Sequence, residues 1–419
     1  MAQPTRHPIP QAETSLGSVT DRDPYGFLND ARSAGEILWD AGLNAWLVLG
    51  YEACRYVTRH DATFRHPVRG RIVGEEISNI INGGPRSLTQ LQGEEHHRLH
   101  RFMISMLSPT AVEDFRSRFA VPLVNRCIDA FAGAGRVELT SAFSDELPSR
   151  FIATVLGLPV DDEELLAGCA HNHHDIMRFL TYTGTVSEPL SDADPMVRDA
   201  VAASLRMDEL LLPVIRARRA APREDLISRM WSEGPSVLDG WTEQDVLTTC
   251  RLMFLAGSDT TASGISNTVH LLLSRPELLG KVLADRALLS GFVEESLRLY
   301  GPTLGRPRFA DQDAEVAGAA VKKGQMLFCL TAAANRDPAK FDAPDVVDPE
   351  RDNVRQHMTF LVGPRTCVGA SFARAAIEES VGGLLDRLPN LRFDPDAEPA
   401  RISGFLMRAF GPLHLRFDA

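Results

Sequence analysis

The chain has 419 residues, 44% of them hydrophobic and 24% charged, the make-up of an ordinary globular protein. That composition excludes a disordered chain, a coiled coil and a collagen-like fibre. Its 44 basic and 56 acidic residues give a net charge of −12, which argues against nucleic acid as a partner, because phosphate binding calls for excess Lys and Arg.

Residues 1–20 are polar and proline-rich and read as a flexible N-terminal arm. Residues 21–419 read as one domain, since composition does not shift along them and they hold no repeat or linker. No apolar run approaches the roughly 20 residues of a membrane span, and no signal-peptide core is present, so the expectation is a cytoplasmic protein without a membrane partner. Residues 24–32 suggest a short helix. Residues 37–39 and 46–49, flanking Ala41-Gly42-Leu43, suggest a β-hairpin. From 51 to 299 the pattern is mostly helical, with breaks at Gly83-Gly84-Pro85, Pro109, Gly133, Pro159, Pro189, Pro222 and Pro276. One long helix covers about 242–273. Short β-like pieces return at 306–330 and 391–417, around a last helix at about 370–388. The fold class is mainly α with small β sheets.

The glycines around Gly133 and Gly135 lack the third glycine of GxGxxG, and no GxxxxGK[ST] occurs, so the chain shows no nucleotide or flavin site of its own. Five cysteines, Cys54, Cys127, Cys169, Cys250 and Cys329, are scattered without a CxxC pair and read as packing thiols. Cys367 differs. It lies in Phe360-Leu361-Val362-Gly363-Pro364-Arg365-Thr366-Cys367-Val368-Gly369, directly before a helical pattern. Tight turns at Gly363 and Gly369 would let a flat ligand approach. Amides at the helix start would favour a thiolate. A buried cysteine at a helix start is the plain alternative.

This segment resembles the FxxGxRxCxG heme-binding signature of the cytochrome P-450 family. The resemblance implies the cytochrome P-450 fold, heme b (iron protoporphyrin IX), and Cys367 as axial ligand of the iron. Such a thiolate favours O–O cleavage. Further correspondences run from about Pro24 to Phe417. Ala256-Gly257-Ser258-Asp259-Thr260-Thr261 is similar to the family's oxygen-activation motif. There Ala256 and Gly257 would leave room for O2 and substrate, and Asp259 and Thr260 would relay protons as an acid–alcohol pair. A kink beside a solvated acid is the alternative. Glu295 and Arg298 resemble the ExxR pair, with Arg351 as third member of a structural triad. For the heme carboxylates the resemblance points to Arg308, His357, Arg365 and His96. Where the family usually shows an Arg four residues after that His, this chain has His100, so His100, Arg101 or another arginine would take the role.

The implied reaction is monooxygenation of an apolar organic molecule, with electrons from a separate ferredoxin and ferredoxin reductase. Arg98, Arg101, Arg365 and Arg374 would form the docking face. Ile81, Met253, Leu304, Phe405 and Leu406 are candidate pocket residues, each of which could equally be core. Arg71, Arg86 and Arg408 could meet a substrate acid or phenol. The histidines His171, His173 and His174 lack metal-site spacing and read as a polar loop or helix end near the substrate lid. The alternatives are a peroxide-driven or non-redox heme-thiolate enzyme and a non-catalytic heme sensor.

Overall fold

The structure, a computed structural model, describes residues 12, 15–19, 24–66, 72–183 and 189–418. Arg71 and most of the expected arm fall outside them. Leu16, within the arm, is fully buried, and its amide donates to Asp40 Oδ2 at 2.7 Å.

The long helix runs Glu243–Leu273 and forms the centre of the molecule. Thr242 opens it with a capping box, its hydroxyl and amide both bonded to the Asp245 carboxylate, which satisfies amides that a helix start leaves free. Its apolar residues Leu247, Phe254, Ile265, Val269 and Leu272 are all buried in the main core. Each such side chain stabilises the fold by about 1.5–3 kcal/mol. Two contacts fix the neighbours of this helix. A Cβ at Gly257 would sit 2.7 Å from Ile152 of the helix Glu146–Leu156, and one at Gly264 would sit 2.6 Å from Ile377 of the helix Ala370–Arg387. The glycines let these isoleucine side chains pack directly onto the helix backbone.

The hairpin forms as expected, with Ile37–Asp40 and Ala45–Val48 antiparallel and Ile37 opposite Val48. It joins Met326–Cys329, Arg306–Ala310 and Phe64–Arg65 in a five-stranded sheet. Only the Ala45–Val48 and Met326–Cys329 pair runs parallel. Pro109 and Pro276 begin helices rather than merely ending them, since proline lacks only an amide that the first turn does not use. A strand at Arg136–Glu138, hidden by its glycine-rich approach, pairs with His414–Arg416 and links the middle of the chain to its end. Among the described residues no helix is long and apolar enough to cross a membrane.

Candidate active site

The cysteine loop is folded by its own backbone. Leu361 and Gly363 take φ values of 58° and 87°. Cys367 N donates to Phe360 O at 2.8 Å, and Thr366 donates to Gly363 O through its amide and its hydroxyl. The amide of Gly369 donates to the Cys367 sulfur. Burial pushes the thiol above its ordinary value; the Gly369 amide, Arg306 and Arg374 only partly offset it. The two glycines also part ways. A Cβ at Gly363 would lie 3.0 Å from Arg59 Cα and Thr58 O, so this glycine serves the helix Tyr51–Arg59. At Gly369 the nearest atom is Cys367 Sγ at 4.0 Å, which leaves the sulfur's face clear. Phe360 packs under the Arg374 guanidinium, 4.4 Å from ring centre to Cζ.

The central helix packs against the helix Ala370–Arg387, which follows the cysteine loop. Thr260 and Ala256 lie one and two turns before the Gly264–Ile377 crossing, and Cys367 lies just ahead of the helix that carries Ile377. Ala256 is exposed amid a mostly buried helix. Thr260 Oγ1 donates to Ala256 O at 2.6 Å, the back-bonding that relaxes a helix turn. A Cβ at Gly257 would meet the end of the Ile152 side chain. Asp259 turns toward the helix Glu163–Thr183, where its Oδ1 lies 2.6 Å from His173 Nε2. His173 is buried inside a helix, not on the polar loop expected for it. The buried spacing Cys169, Asn172, His173, Ile176 was the available signal, since these positions share one helix face.

Cations cluster at the sheet edge of the site. Arg308 is 1% exposed, its Nε has no hydrogen-bond partner, and no acid pairs with it among the described residues. Burial pushes its guanidinium below its ordinary value. Arg306 lies two positions earlier on the same strand face. It makes no hydrogen bond or ion pair within the described residues, and burial likewise lowers it while Cys367 acts to raise it. The sequence reading missed Arg306, although period-two spacing from Arg308 pointed to it. His96 is buried with Nδ1 unpartnered. Burial, then the charge of Arg365, brings its imidazole down to about 4.

Other expected partners are engaged elsewhere. His100 stacks on His96, and its Nε2 lies 2.7 Å from Thr366 O, so it holds the loop backbone. Arg101 points outward to Glu94. His357 uses both ring nitrogens, Nε2 with Glu294 at 2.9 Å and Nδ1 accepting from Thr359 N. Arg365 spans Asp61, Leu91 O and Gln92, and Arg374 is bound to Glu294. Three of the four arginines expected on a docking face are therefore paired within the chain.

Glu295 and Arg298 form a fully buried bidentate pair at 2.7 and 2.8 Å. Arg351 Nε joins Glu295 at 3.1 Å. Arg298 also donates to Asn335 O and Pro344 O, so the three residues bind the segment leading to the cysteine loop. Of the pocket candidates, Ile81, Met253 and Leu304 are buried in three separate hydrophobic clusters and are core. Phe405 and Leu406 are half-buried, and Phe405 stacks on Phe328. Arg86 pairs with Asp245, and Arg408 is buried and donates to Gly404 O.

The residues present fit a heme. A cysteine with a clear face, the buried Arg308 and half-buried Arg306, neither with an acid partner among the described residues, and an orphaned imidazole nitrogen suit an iron porphyrin carrying two carboxylates, since buried charge and buried polar atoms call for partners. Comparison with known proteins agrees. The family model for Cytochrome P450 matches residues 85–388. The biotin biosynthesis cytochrome P450 of Bacillus subtilis (strain 168) is 30% identical over 385 residues, 91% of this chain and 93% of that protein. The mycinamicin IV hydroxylase/epoxidase of Micromonospora griseorubida is 29% identical, covering 99% of this chain and 98% of that protein. The crystal structure of P450BioI with acyl carrier protein ligated to hexadec-9Z-enoic acid superposes with a TM-score of 0.83 at 26% identity, over 94% of this chain and 99% of that one. The chain belongs to the cytochrome P450 family. It is a heme-thiolate monooxygenase acting with O2 on a small molecule.

Proposed function

We propose that the protein inserts one oxygen atom of O2 into an apolar organic molecule, using heme b held by Cys367, with electrons from a separate ferredoxin and ferredoxin reductase. The observation that supports this reading is that the helix following Cys367 packs on the central helix at Gly264, one turn beyond Thr260. The heme supplies the oxygen chemistry when bound. The chain supplies the rest. His96 and Arg308 hold the heme carboxylates, with Arg306 beside them. The triad Glu295, Arg298 and Arg351 keeps the cysteine loop in place. Thr260 Oγ1, freed from Ala256 O, passes a proton that Asp259 collects from the solvent side.

The relatives' names include a mycinamicin hydroxylase/epoxidase, a steroid hydroxylase and an N-oxygenase of nocardicin C. That spread supports an organic substrate without selecting one. A separate electron donor follows from the lack of any flavin or nucleotide signature in the sequence. The test is turnover with a ferredoxin, its reductase and a ligand that shifts the heme spin state. Wild type should yield oxygenated product, Thr260→Ala should divert about nine tenths of the electrons to hydrogen peroxide, and Thr260→Ser should recover product. Equal product per electron in wild type and Thr260→Ala would overturn the proton role, and product formed only with added peroxide would favour the peroxide-driven alternative.

A further inference from the structure

We propose that His173 is a positioning residue that holds the Asp259 carboxylate for proton delivery, an inference that rests on the monooxygenase reading above. His173 and Asp259 come from different helices, 86 residues apart, and meet at 2.6 Å. His173 is 3% exposed, and its other ring nitrogen, Nδ1, is buried without a partner. A carboxylate accepts, so Nε2 carries the proton and donates it. Among the described residues no other hydrogen bond reaches the Asp259 carboxylate.

A second acid stands beside Asp259. At the start of the helix Glu146–Leu156, Asp145 faces it; burial and then the charge of Asp259 lift the Asp145 carboxyl to about 6. Two neighbouring acids disfavour each other's charged forms. Ser149, on the same helix, bonds Ser258 and not Asp259. On the His173 helix, Asn172 is taken by Arg206, and Asp175 lies between His171 and Arg206. His173 is thus the group that offsets Asp145 and fixes Asp259.

Direction matters as much as charge. Asp259 and Thr260 are consecutive, so their side chains leave the helix about 100° apart. Thr260 turns back onto Ala256 O while Asp259 turns to His173. With the imidazole in place the acid stays beside the central helix at a set distance from the hydroxyl it serves. Without it the half-exposed carboxylate swings into solvent, pushed by Asp145. The tie also links the helix Glu163–Thr183 to proton delivery, so movement of that helix changes the position of the acid.

The test compares His173→Phe, His173→Gln, Asp259→Asn and the double variant His173→Phe/Asp259→Asn in heme-loaded protein, with ferredoxin-supported turnover. The readouts are product per electron, hydrogen peroxide and the solvent isotope effect in D2O. His173→Phe should lower product per electron about tenfold and raise the isotope effect. His173→Gln, whose amide reaches the same place, should recover most of the loss. In the Asp259→Asn background, His173→Phe should cost nothing more, as residues acting as one unit are not additive. Full additivity, or unchanged coupling and isotope effect in His173→Phe, overturns the proposal. Should His173→Phe fail to load heme, His173→Asn, too short to reach Asp259, takes its place against His173→Gln. Failure of the monooxygenase reading looks different: no variant, wild type included, would then give product or a thiolate-type carbon monoxide spectrum.

Discussion

His100 Nε2 lies 2.7 Å from the carbonyl oxygen of Thr366, the residue immediately before Cys367. The helix Gly93–Met106 is thereby tied to the backbone of the iron-ligand loop. On the reading proposed above, the heme carboxylates fall to His96 on the same helix and to Arg308, while His100 holds the loop.

Removing the His100 ring leaves a carbonyl without its partner and opens space beside His96. His100→Ala should cost about 1–3 kcal/mol of stability and speed heme transfer to apomyoglobin several-fold. His100→Gln, which keeps a donor, should stay near wild type. Unchanged transfer in His100→Ala would show that the contact does not hold the loop.

The two glycines of the cysteine loop should behave differently. Gly363→Ala forces φ of 87° on a residue with a Cβ and presses it against Arg59 Cα and Thr58 O at 3.0 Å. We expect a loss of about 1–3 kcal/mol in heme-free protein, read by urea unfolding. Gly369→Ala meets only the sulfur at 4.0 Å. Its heme-free stability should match wild type, while heme loading weakens because the new methyl occupies the clear face. Equal effects on both measurements would contradict these separate roles.

Acid should destabilise the fold in two steps. His270 stacks on Phe410 at 3.6 Å, and burial, then the charge of Arg275, holds its imidazole at about 4 against an ordinary 6.5. Folded His270 is neutral while the unfolded chain takes up a proton, so stability is full above about 6.5 and falls as pH drops toward about 4, by at most about 3 kcal/mol. Glu294 acts lower. Burial raises its carboxyl, but the bonds from His357 and Arg374 outweigh this and bring it to about 2 against 4.5. Its contribution is present above about 4.5 and is lost as pH falls toward about 2. His270→Phe should shrink the upper step, the remainder coming from His96, and leave the lower one, in urea unfolding at pH 7, 5 and 3. An unchanged upper step would contradict the assignment.

The sequence revealed most where chemistry is carried by neighbours in the chain. Cys367 with its flanking glycines, Glu295 with Arg298, and the long helix are local patterns, and the structure has the loop, the buried pair and the helix at these positions. Side-chain direction across the fold was not legible. His357 and Arg365 looked like free donors, but Glu294 and Asp61 hold them from segments 63 and 304 residues away. Ile81, Met253 and Leu304 looked like pocket, and burial makes them core. His173 is the instructive miss: its helix periodicity was readable, yet only the crossing of two helices puts Asp259 in front of it.

The central claim is that Cys367 binds heme iron as a thiolate. The most direct measurement is the absorption spectrum of the reduced carbon monoxide complex of purified, heme-loaded protein. The account predicts the red-shifted Soret band of thiolate-ligated iron in wild type and its loss in Cys367→His. A band at the position of histidine-ligated heme in wild type, or a red-shifted band that survives Cys367→His, would contradict it.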